Sequence, residues 1–561
     1  MSADTEATAV AAAAATAATS AAEKRSTPEA WILGSGTAAL STALYLIRLA
    51  NISPRNVHIL DSHGSLGQAV HNRGDHASGY DQFAGCLPVP VGEPLKDMLA
   101  LVPSVRESGH SVFDEIEAAR YRRVSSSSCQ RDAYTRFLMQ RDDKLQHIPT
   151  KKLNLSLRQR MALVTLLLKS EGALQRKQVR DFMPGGFFSS TFWAIWSGQF
   201  GFQPWHSACE FRRTIKQYLR DFRGLPILNC LDITGRFQFE ATFLPIYHYL
   251  RSLDVDFRFD VRIKDIHTST EKSGGGSDGG RKIVRLDLVE NGFEVHQPIG
   301  DEDIVIAAIG STVSGSTTGT DERPPFGPSM QASEALDENW SLWLALEAKN
   351  AGVGDPYNFC TRQSETMLES FTVTTEDLEI YEHLCALSDC PPHAGAFITL
   401  QESPWRMNLC LPTQPVFSEQ PSNVRVFWGF ANYPESQGRY VQKPMLRCSG
   451  SEIMVELLGH LHVDESHLVG RTVTVPRVMP RMSAILLPRA VNDRPEVIPS
   501  SISNIGLVGQ FSHLPQYSCV DVSYSVRTAQ RAVEQLTGVR MHKHQKERLH
   551  LRTMLKIVFW R

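Results

Sequence analysis

The segment at residues 30–50 constrains the fold of this chain more than any other part of the sequence. A short apolar strand, Trp31–Leu33, runs directly into a glycine turn, after which leucine and alanine recur at helical spacing. The turn has the pattern G-x-G-x-x-A, made by Gly34, Gly36 and Ala39. A second apolar strand, Val57–Leu60, ends at the acidic Asp61. Strand, glycine turn, helix, strand and acid in this order predict a dinucleotide-binding unit.

Each residue type in this unit has a physical reason for its position. Gly34 permits the tight turn, and Gly36 lets the backbone approach a pyrophosphate, while Ala39 lets the helix pack closely on the strand. The free N–H groups and the positive dipole end of the helix favour phosphate. Asp61 can accept hydrogen bonds from ribose hydroxyls. The alternative is a glycine turn in an α/β domain that binds no nucleotide.

A second glycine-rich turn follows the acid and favours FAD over NAD, because such a turn is typical of FAD enzymes of the glutathione-reductase type. Its residues are Gly64, Ser65, Leu66 and Gly67. Two later apolar segments resemble returning strands of the same domain, one ending at Gly310 and Ser311, the other at Gly509 and Gln510. We therefore predict an α/β fold with a discontinuous Rossmann FAD-binding domain of the glutathione-reductase type. An α+β substrate domain is inserted into it, and a helical part ends the chain.

These segments also predict the domain organisation. We expect a disordered Ala/Thr-rich tail at 1–29 and three FAD-binding parts at 30–125, 231–315 and 481–539. Between these parts we expect a helical substrate or lid region at 126–230 and a substrate domain at 316–480. A basic amphipathic helix follows at 540–561.

Charge and cysteine usage exclude several classes of function. The 58 Lys and Arg residues nearly balance the 60 Asp and Glu residues, which leaves no basic footprint for a nucleic acid. The ten cysteines are scattered without a C-x-x-C pair, so we expect neither a metal site nor a redox dithiol. Reduced thiols, the lack of an apolar run long enough to span a bilayer and a poor secretory signal favour a cytoplasmic protein.

Residues 540–561 differ in character from the rest of the chain. They carry seven Lys or Arg residues and a single acid, Glu547, and their apolar residues can share one helical stripe. A basic amphipathic helix of this kind can lie on an anionic membrane surface. Docking on the chain's own domain or on a dimer partner is the alternative.

Several longer strings are more specific than the glycine motif. They are Ser190–Trp193, Phe202–Ala208, Gly224–Pro226, Tyr440–Met445 followed by Cys448 and Gly450, Asp493–Pro495 and Tyr524–Ala529. On these strings the chain resembles, from about Ala30 to about Val539, the FAD-dependent fatty acid (oleate) hydratases, also called myosin-cross-reactive antigens.

The resemblance implies an enzyme that adds water across an isolated cis double bond of an unsaturated fatty acid. The reaction is redox-neutral and yet needs bound FAD, and some relatives isomerise double bonds instead. A substrate domain with a long apolar tunnel, a mobile C-terminal part and often a homodimer are also implied. Through the resemblance we further expect Gly85, Ile263 and Ser523 to contact the FAD.

Hydration of an unactivated alkene needs a general acid and a group that orients the attacking water in a dry tunnel. In the family a Glu near the flavin is assigned the water, and alignment places Glu93 on it. The family's Arg-Gly-Gly before this position is replaced by Phe83, Ala84 and Gly85. A solvated loop carboxylate is the alternative interpretation of Glu93.

The family's tyrosine acid falls at Thr214, which is a far poorer acid than a phenol with a pKa of about 10. Tyr218, one turn later, could substitute for it, and Glu210 and His206 are other nearby proton carriers. The family's carboxylate-binding groups also change to apolar or weakly polar residues, unless the alignment is shifted in these loops. These positions are Phe237, Cys410, Pro412 and Val416.

A buried carboxylate without partners is strongly disfavoured. We therefore expect a hydrophobic small-molecule substrate with an uncharged end: an ester or thioester, or another lipid-like molecule such as a polyketide or terpenoid. Hydration remains the first hypothesis. The alternatives are an FAD-dependent isomerase, cyclase or oxidoreductase, or a flavin- or lipid-binding protein on membranes without catalytic activity.

Overall fold

The computed structural model describes fourteen stretches of the chain. They are residues 27–66, 74–81, 86–88, 94–126, 136–142, 144–147, 153–218, 233–269, 281–325, 336–387, 396–412, 414–463, 472–541 and 557–559.

The α-helices of these stretches are α1 (Thr37–Arg48), α2 (Leu95–Ala100), α3 (Val112–Ser126), α4 (Leu157–Leu168), α5 (Thr191–Phe200), α6 (Ala208–Tyr218), α7 (Leu244–Ser252), α8 (Glu338–Lys349), α9 (Tyr357–Cys360), α10 (Gln363–Thr366), α11 (Leu378–Leu387), α12 (Gly450–Leu461) and α13 (Val522–Thr537). A π-helical turn, Phe239–Phe243, leads into α7. Within the described stretches, no helix is long and apolar enough to cross a bilayer.

The strands are β1 (Ala30–Leu33), β2 (Val57–Leu60), β3 (Gly74–Asp75), β4 (Gly79–Tyr80), β5 (Cys86–Pro88), β6 (Arg136–Arg141), β7 (Lys144–His147), β8 (Ile233–Phe237), β9 (Asp256–Arg258), β10 (Val261–Ser269), β11 (Lys282–Glu290), β12 (Phe293–Pro298), β13 (Ile304–Ala308), β14 (Thr317–Thr318), β15 (Leu368–Thr375), β16 (Ala396–Thr399), β17 (Met407–Leu411), β18 (Arg425–Ala431), β19 (Thr472–Met479) and β20 (Ile505–Val508).

A five-stranded parallel sheet forms the first layer, in the order β20-β13-β1-β2-β9. Strand β1 lies between β2 and β13, with Ile32 opposite both Ile59 and Ile306. Sheets of this kind need both faces covered, and helices α1 and α13 pack together beside it. The predicted strands therefore meet, although hundreds of residues separate them, and the predicted discontinuous α/β domain is confirmed.

An eight-stranded, mostly antiparallel sheet forms the second layer, in the order β14-β19-β15-β18-β17-β16-β6-β7. Strands β6 and β7 come from the region 126–230, which the sequence assigned to helices. Side chains alternate between the two faces of a strand. On β15, Phe371 and Val373 belong to a core shared with α12, whereas Thr372 and Thr374 face the opposite side.

A three-stranded antiparallel meander, β10-β11-β12, extends the first layer. Strands β10 and β11 pair from Val261 with Glu290 to Ser269 with Lys282. Residues 270–280, which lie between these two strands, are outside the described residues.

Two glutamates in the second layer are fully buried but have opposite surroundings. Glu456 on α12 accepts backbone N–H groups of Arg439, Tyr440 and Val441 at 2.7–2.8 Å. Burial tends to raise the pKa of Glu456, but hydrogen bonds from His460 and these N–H groups outweigh it, so the pKa is lowered. Neither carboxylate oxygen of Glu369 on β15 has a hydrogen-bond partner among the described residues, and burial raises its pKa.

We predict that Glu369→Met stabilises the protein and that the gain grows with pH. The folded-state pKa of Glu369 is raised, so folding of the native chain becomes less favourable as pH rises above the ordinary value near 4.5. The gain over wild type should increase by up to about 1.4 kcal/mol per pH unit. Thermal unfolding at pH 5 and pH 8 measures it.

The matched control is Glu456→Gln, an equally buried position. It should lose about 1–3 kcal/mol, because the three N–H groups lose a charged acceptor. If Glu369→Met were less stable than wild type at pH 8, the carboxylate would have a stabilising partner and the interpretation would be wrong.

Candidate functional site

An open cleft lies at the carboxyl ends of the parallel strands, where α/β sheets bind their ligands. Strands β1, β2, β13 and β20 each lead into it. Its volume, counted out to the open mouth, is about 1120 Å³. This exceeds the range that is usual for pockets that bind small molecules.

The glycine turn forms one wall of this cleft. Gly34 has a φ of +106°, which favours glycine, and its N–H donates to Leu60 at 2.7 Å. Gly36 caps α1 without a side-chain hydrogen bond, and a Cβ added there would meet no atom within 4 Å. The amino end of α1 therefore faces free space, as a phosphate-binding helix needs.

Hydrogen bonds from Ser35 and His63 fix the carboxylate of Asp61 at the end of β2. Its Oδ1 accepts from the backbone N–H of His63 at 2.9 Å and lies 2.8 Å from His63 Nδ1, and Ser35 Oγ donates to its Oδ2. Burial tends to raise the pKa of Asp61, but hydrogen bonds from His63 and Ser35 outweigh it and lower the pKa. The hydrogen bond to Asp61 raises the pKa of His63. Asp61 is thus an ionised, oriented acceptor.

Two further acids border the cleft at the start of α8. Asp337 caps this helix by accepting from Trp340 N at 3.3 Å, and Glu338 accepts from the backbone N–H of Ile263. Burial raises the pKa of both carboxyl groups. The sequence analysis missed them, although an acid just before an apolar-periodic helix is a recognisable N-cap signal.

Eight of the residues predicted from sequence to bind the cofactor line this cleft: Gly34, Gly36, Asp61, Ile263, Gly310, Ser311, Gly509 and Gln510. Others do not line it. Ala39 is buried in α1, Gly64 and Ser65 are exposed, Leu66 and Ser523 are buried, and Ser525 lines the cleft instead of Ser523. Gly67 and Gly85 lie outside the described residues. Sequence reasoning also missed Ser35, His63 and Phe243 as lining residues.

A run of aromatic rings leads from the antiparallel sheet to the cleft. Tyr80 stacks on Phe417 at 4.4 Å, and Phe417 contacts Phe237 at 4.9 Å between ring centroids. Phe237 lies 6.3 Å from Phe239, which stacks on Phe243 at 5.7 Å. Phe243 lines the cleft. The last two rings belong to the π-helical turn, a distortion that is frequent at functional sites.

The structure brings together two of the four positions that we expected from the sequence to replace the family's carboxylate-binding groups. Phe237 N donates to Val416 O at 3.3 Å, and both residues are buried. Cys410 is buried on β17 opposite Trp428. Pro412 O accepts from Tyr381 Oη at 3.0 Å, which is a structural contact.

The residues proposed as proton donors lie on or beside α6. Thr214 is buried and shares a 2.8 Å hydrogen bond with Ser518, and the ring of Tyr218 packs on Phe200 at 4.8 Å. Burial lowers the pKa of His206 to about 4, and its Nδ1 accepts from Gln203 N. None of these contacts reaches the aromatic run. Glu93 lies outside the described residues.

Glu210 is also unsuited to donate a proton. It is fully buried beside three arginines, with Arg489 at 3.0 Å, Arg213 at 3.4 Å and Arg494 at 3.5 Å. Burial opposes its ionisation, but the arginines outweigh burial and lower its pKa to about 2. Among the described residues, no cluster of three His, Cys, Asp or Glu side chains could hold a metal ion.

Comparison with known proteins agrees with this architecture. A model of the MCRA family matches residues 27–533, which confirms the resemblance inferred from the sequence. An oleate hydratase of Streptococcus pyogenes serotype M49 (strain NZ131) is 29% identical over 90% of this chain and 84% of that protein. A linoleate hydratase of Lactiplantibacillus plantarum is 25% identical over 91% and 94%. Cyclohexylamine oxidase from Brevibacterium oxydans IH-35A has the same fold, with a TM-score of 0.50 at 11% identity over 91% and 99% of the two chains.

We predict that Gly36→Leu removes bound dinucleotide without unfolding the protein. The added side chain meets no protein atom within 4 Å at the Cβ and occupies the space at the start of α1. FAD affinity should fall about tenfold or more, measured by the visible flavin absorbance of purified protein and by titration with FAD.

Gly185→Leu is the matched control, because its Cβ would also meet no atom within 4 Å, and Gly185 is exposed away from the cleft. This variant should keep its flavin. Equal flavin content in both variants would contradict the assignment of the cleft.

Proposed function

Because the chain belongs to the MCRA family, we propose that it is an FAD-dependent enzyme that adds water to a C=C bond of an unsaturated fatty acid or similar lipid-like substrate. The names of its oleate and linoleate hydratase relatives support this activity. The observation that carries the proposal is the family match over residues 27–533. The aromatic run from Tyr80 to Phe243 supports it, because these rings form a buried apolar region that reaches the cleft.

The cleft suits FAD in its chemistry. The start of α1 offers N–H groups and free space at Gly36 for a pyrophosphate, and Asp61 offers an ionised acceptor for ribose hydroxyls. Gly310 and Gly509, both with positive φ, permit a close approach of the backbone on the far wall. When bound, the flavin would supply a polarisable ring system to the reaction.

The chain's own residues exclude bulk water and orient the one water molecule that reacts. Packed rings at Tyr80, Phe417 and Phe237 keep bulk water from this apolar region. Glu93 is the residue that we assign to orient the attacking water, as general base. Glu210 is held ionised and His206 is held neutral, so neither is suited to supply the proton.

A second candidate is isomerisation, cyclisation or oxidation of a hydrophobic substrate on the same flavin scaffold. It is favoured by the loss of the phenol at Thr214, whose hydroxyl is committed to Ser518. Product mass separates the two candidates. A product heavier than the substrate by one water molecule supports hydration, and a product of unchanged mass supports isomerisation or cyclisation.

We predict that Glu93→Gln lowers hydration about 100-fold or more, because the amide cannot take a proton from water. Product formation from oleate and linoleate, with and without a flavin reductant, is measured by mass spectrometry. Glu302→Gln, an exposed loop position, is the control and should retain full activity. Unchanged turnover in Glu93→Gln with normal flavin content would assign the water to another residue.

We predict that the enzyme turns over methyl oleate faster than free oleate. Phe237 and Val416, the positions expected to replace the family's carboxylate-binding groups, are buried and apolar, so a carboxylate placed against them would be desolvated without a partner. The double variant Phe237→Asn/Val416→His should shift the ratio of kcat/KM values toward the free acid by about tenfold. The Tyr357→Phe variant, at an exposed tyrosine, is the control and should leave the ratio unchanged. A wild-type preference for the free acid would contradict the prediction.

A further inference from the structure

Helix α4 carries apolar side chains on two faces, and the fold covers only one of them. Leu163, Leu166 and Leu167 are buried. On the other side Leu157 is 64% exposed, Met161 48% and Leu168 66%. At 3.6 residues per turn, these three positions fall on one stripe along the helix. Large apolar side chains are normally exposed singly, so a stripe of three indicates a contact surface.

The stripe belongs to an anchored helix. Ser156 and Gln159 form a capping box at its start, which ties both ends of the first turn. Near its carboxyl end, Leu167 O accepts from Arg212 Nε on α6 at 3.3 Å. The exposed side chains are therefore presented on a fixed support rather than on a fraying end.

The charged residues of helix α4 and of the segment just before it have one sign, and the first acid after them, Glu171, is paired with Arg212 and Arg213. Residues 151–169 include five Lys or Arg and no Asp or Glu. Arg158 and Lys169 lie on one side of the stripe and Arg160 on the other, by the helical periodicity. An apolar stripe between basic margins is the pattern of a helix that lies in a membrane interface.

We propose that this face of α4 docks the protein on an anionic lipid surface. Leu157, Met161 and Leu168 enter the boundary between headgroups and acyl chains, and the basic margins contact lipid phosphates. The proposal concerns binding alone and does not depend on the reaction that the cleft performs.

Charge complementarity selects this occupant over two others. A second copy packed on α4 through a two-fold axis would place the same basic margins against each other. The chain's own segment 540–561, with seven Lys or Arg and one acid, is also positive. A lipid surface with negative headgroups complements both the apolar stripe and its margins.

The test is co-sedimentation of the full-length chain with vesicles of phosphatidylcholine alone or mixed with phosphatidylglycerol. We expect binding to the mixed vesicles that weakens as salt is raised. Met161→Glu/Leu168→Glu should reduce this binding about tenfold or more. Phe293→Glu, which replaces an equally exposed apolar side chain (75%) on β12, should bind as wild type does.

Two outcomes would overturn the proposal. In the first, the double variant binds the mixed vesicles as well as wild type does, which would assign membrane contact to another segment. In the second, it loses self-association in analytical ultracentrifugation while its vesicle binding is unchanged, which would make the face an interface between copies.

Thermal unfolding measures whether the double variant is folded. If the double variant is unfolded, the exposed Arg158→Glu takes its place: weaker, less salt-dependent binding supports the proposal, and unchanged binding overturns it.

Discussion

The pairing of β1 with β2 on one side and β13 on the other is the constraint on which the rest of the structure depends. Four of its five strands, β1, β2, β13 and β20, end at one edge, and each of them is followed there by a residue that lines the cleft. Gly34, Asp61, Gly310 and Gly509 are brought within one site because their strands are hydrogen-bonded neighbours. The backbone hydrogen bonds of the sheet therefore assemble the site.

A buried ionic network holds helix α6 against this first layer. Glu210 on α6 faces Arg489 and Arg494, which precede β20, and Thr214 on the same helix bonds to Ser518. Removing the carboxylate would leave buried cations unpaired, a costly arrangement. The network therefore fixes α6 beside the strand β20, and α6 is also the helix on which the resemblance places the family's tyrosine position, at Thr214.

Apolar rings from distant parts of the chain meet beside the second layer. The aromatic run depends on Phe417 contacting both Tyr80 and Phe237, and these three residues come from three distant parts of the chain. Stacked and tilted rings at 4–6 Å favour one another and exclude water. Packing that excludes water also disfavours a buried charge, because a charge removed from water needs a partner.

The sequence by itself determined the local units. The β-α-β motif and the returning strands at 304–308 and 505–508 follow from periodicity and turn residues, which act over short distances. Only the tertiary structure decided that β6 and β7 join the antiparallel sheet, because strand pairing is set by partners remote in sequence. It alone placed His63, Asp337 and Phe243 at the cleft. Local sequence patterns determine which secondary structure a segment forms. Burial and side-chain contacts depend instead on residues remote in sequence, which come together only when the chain folds.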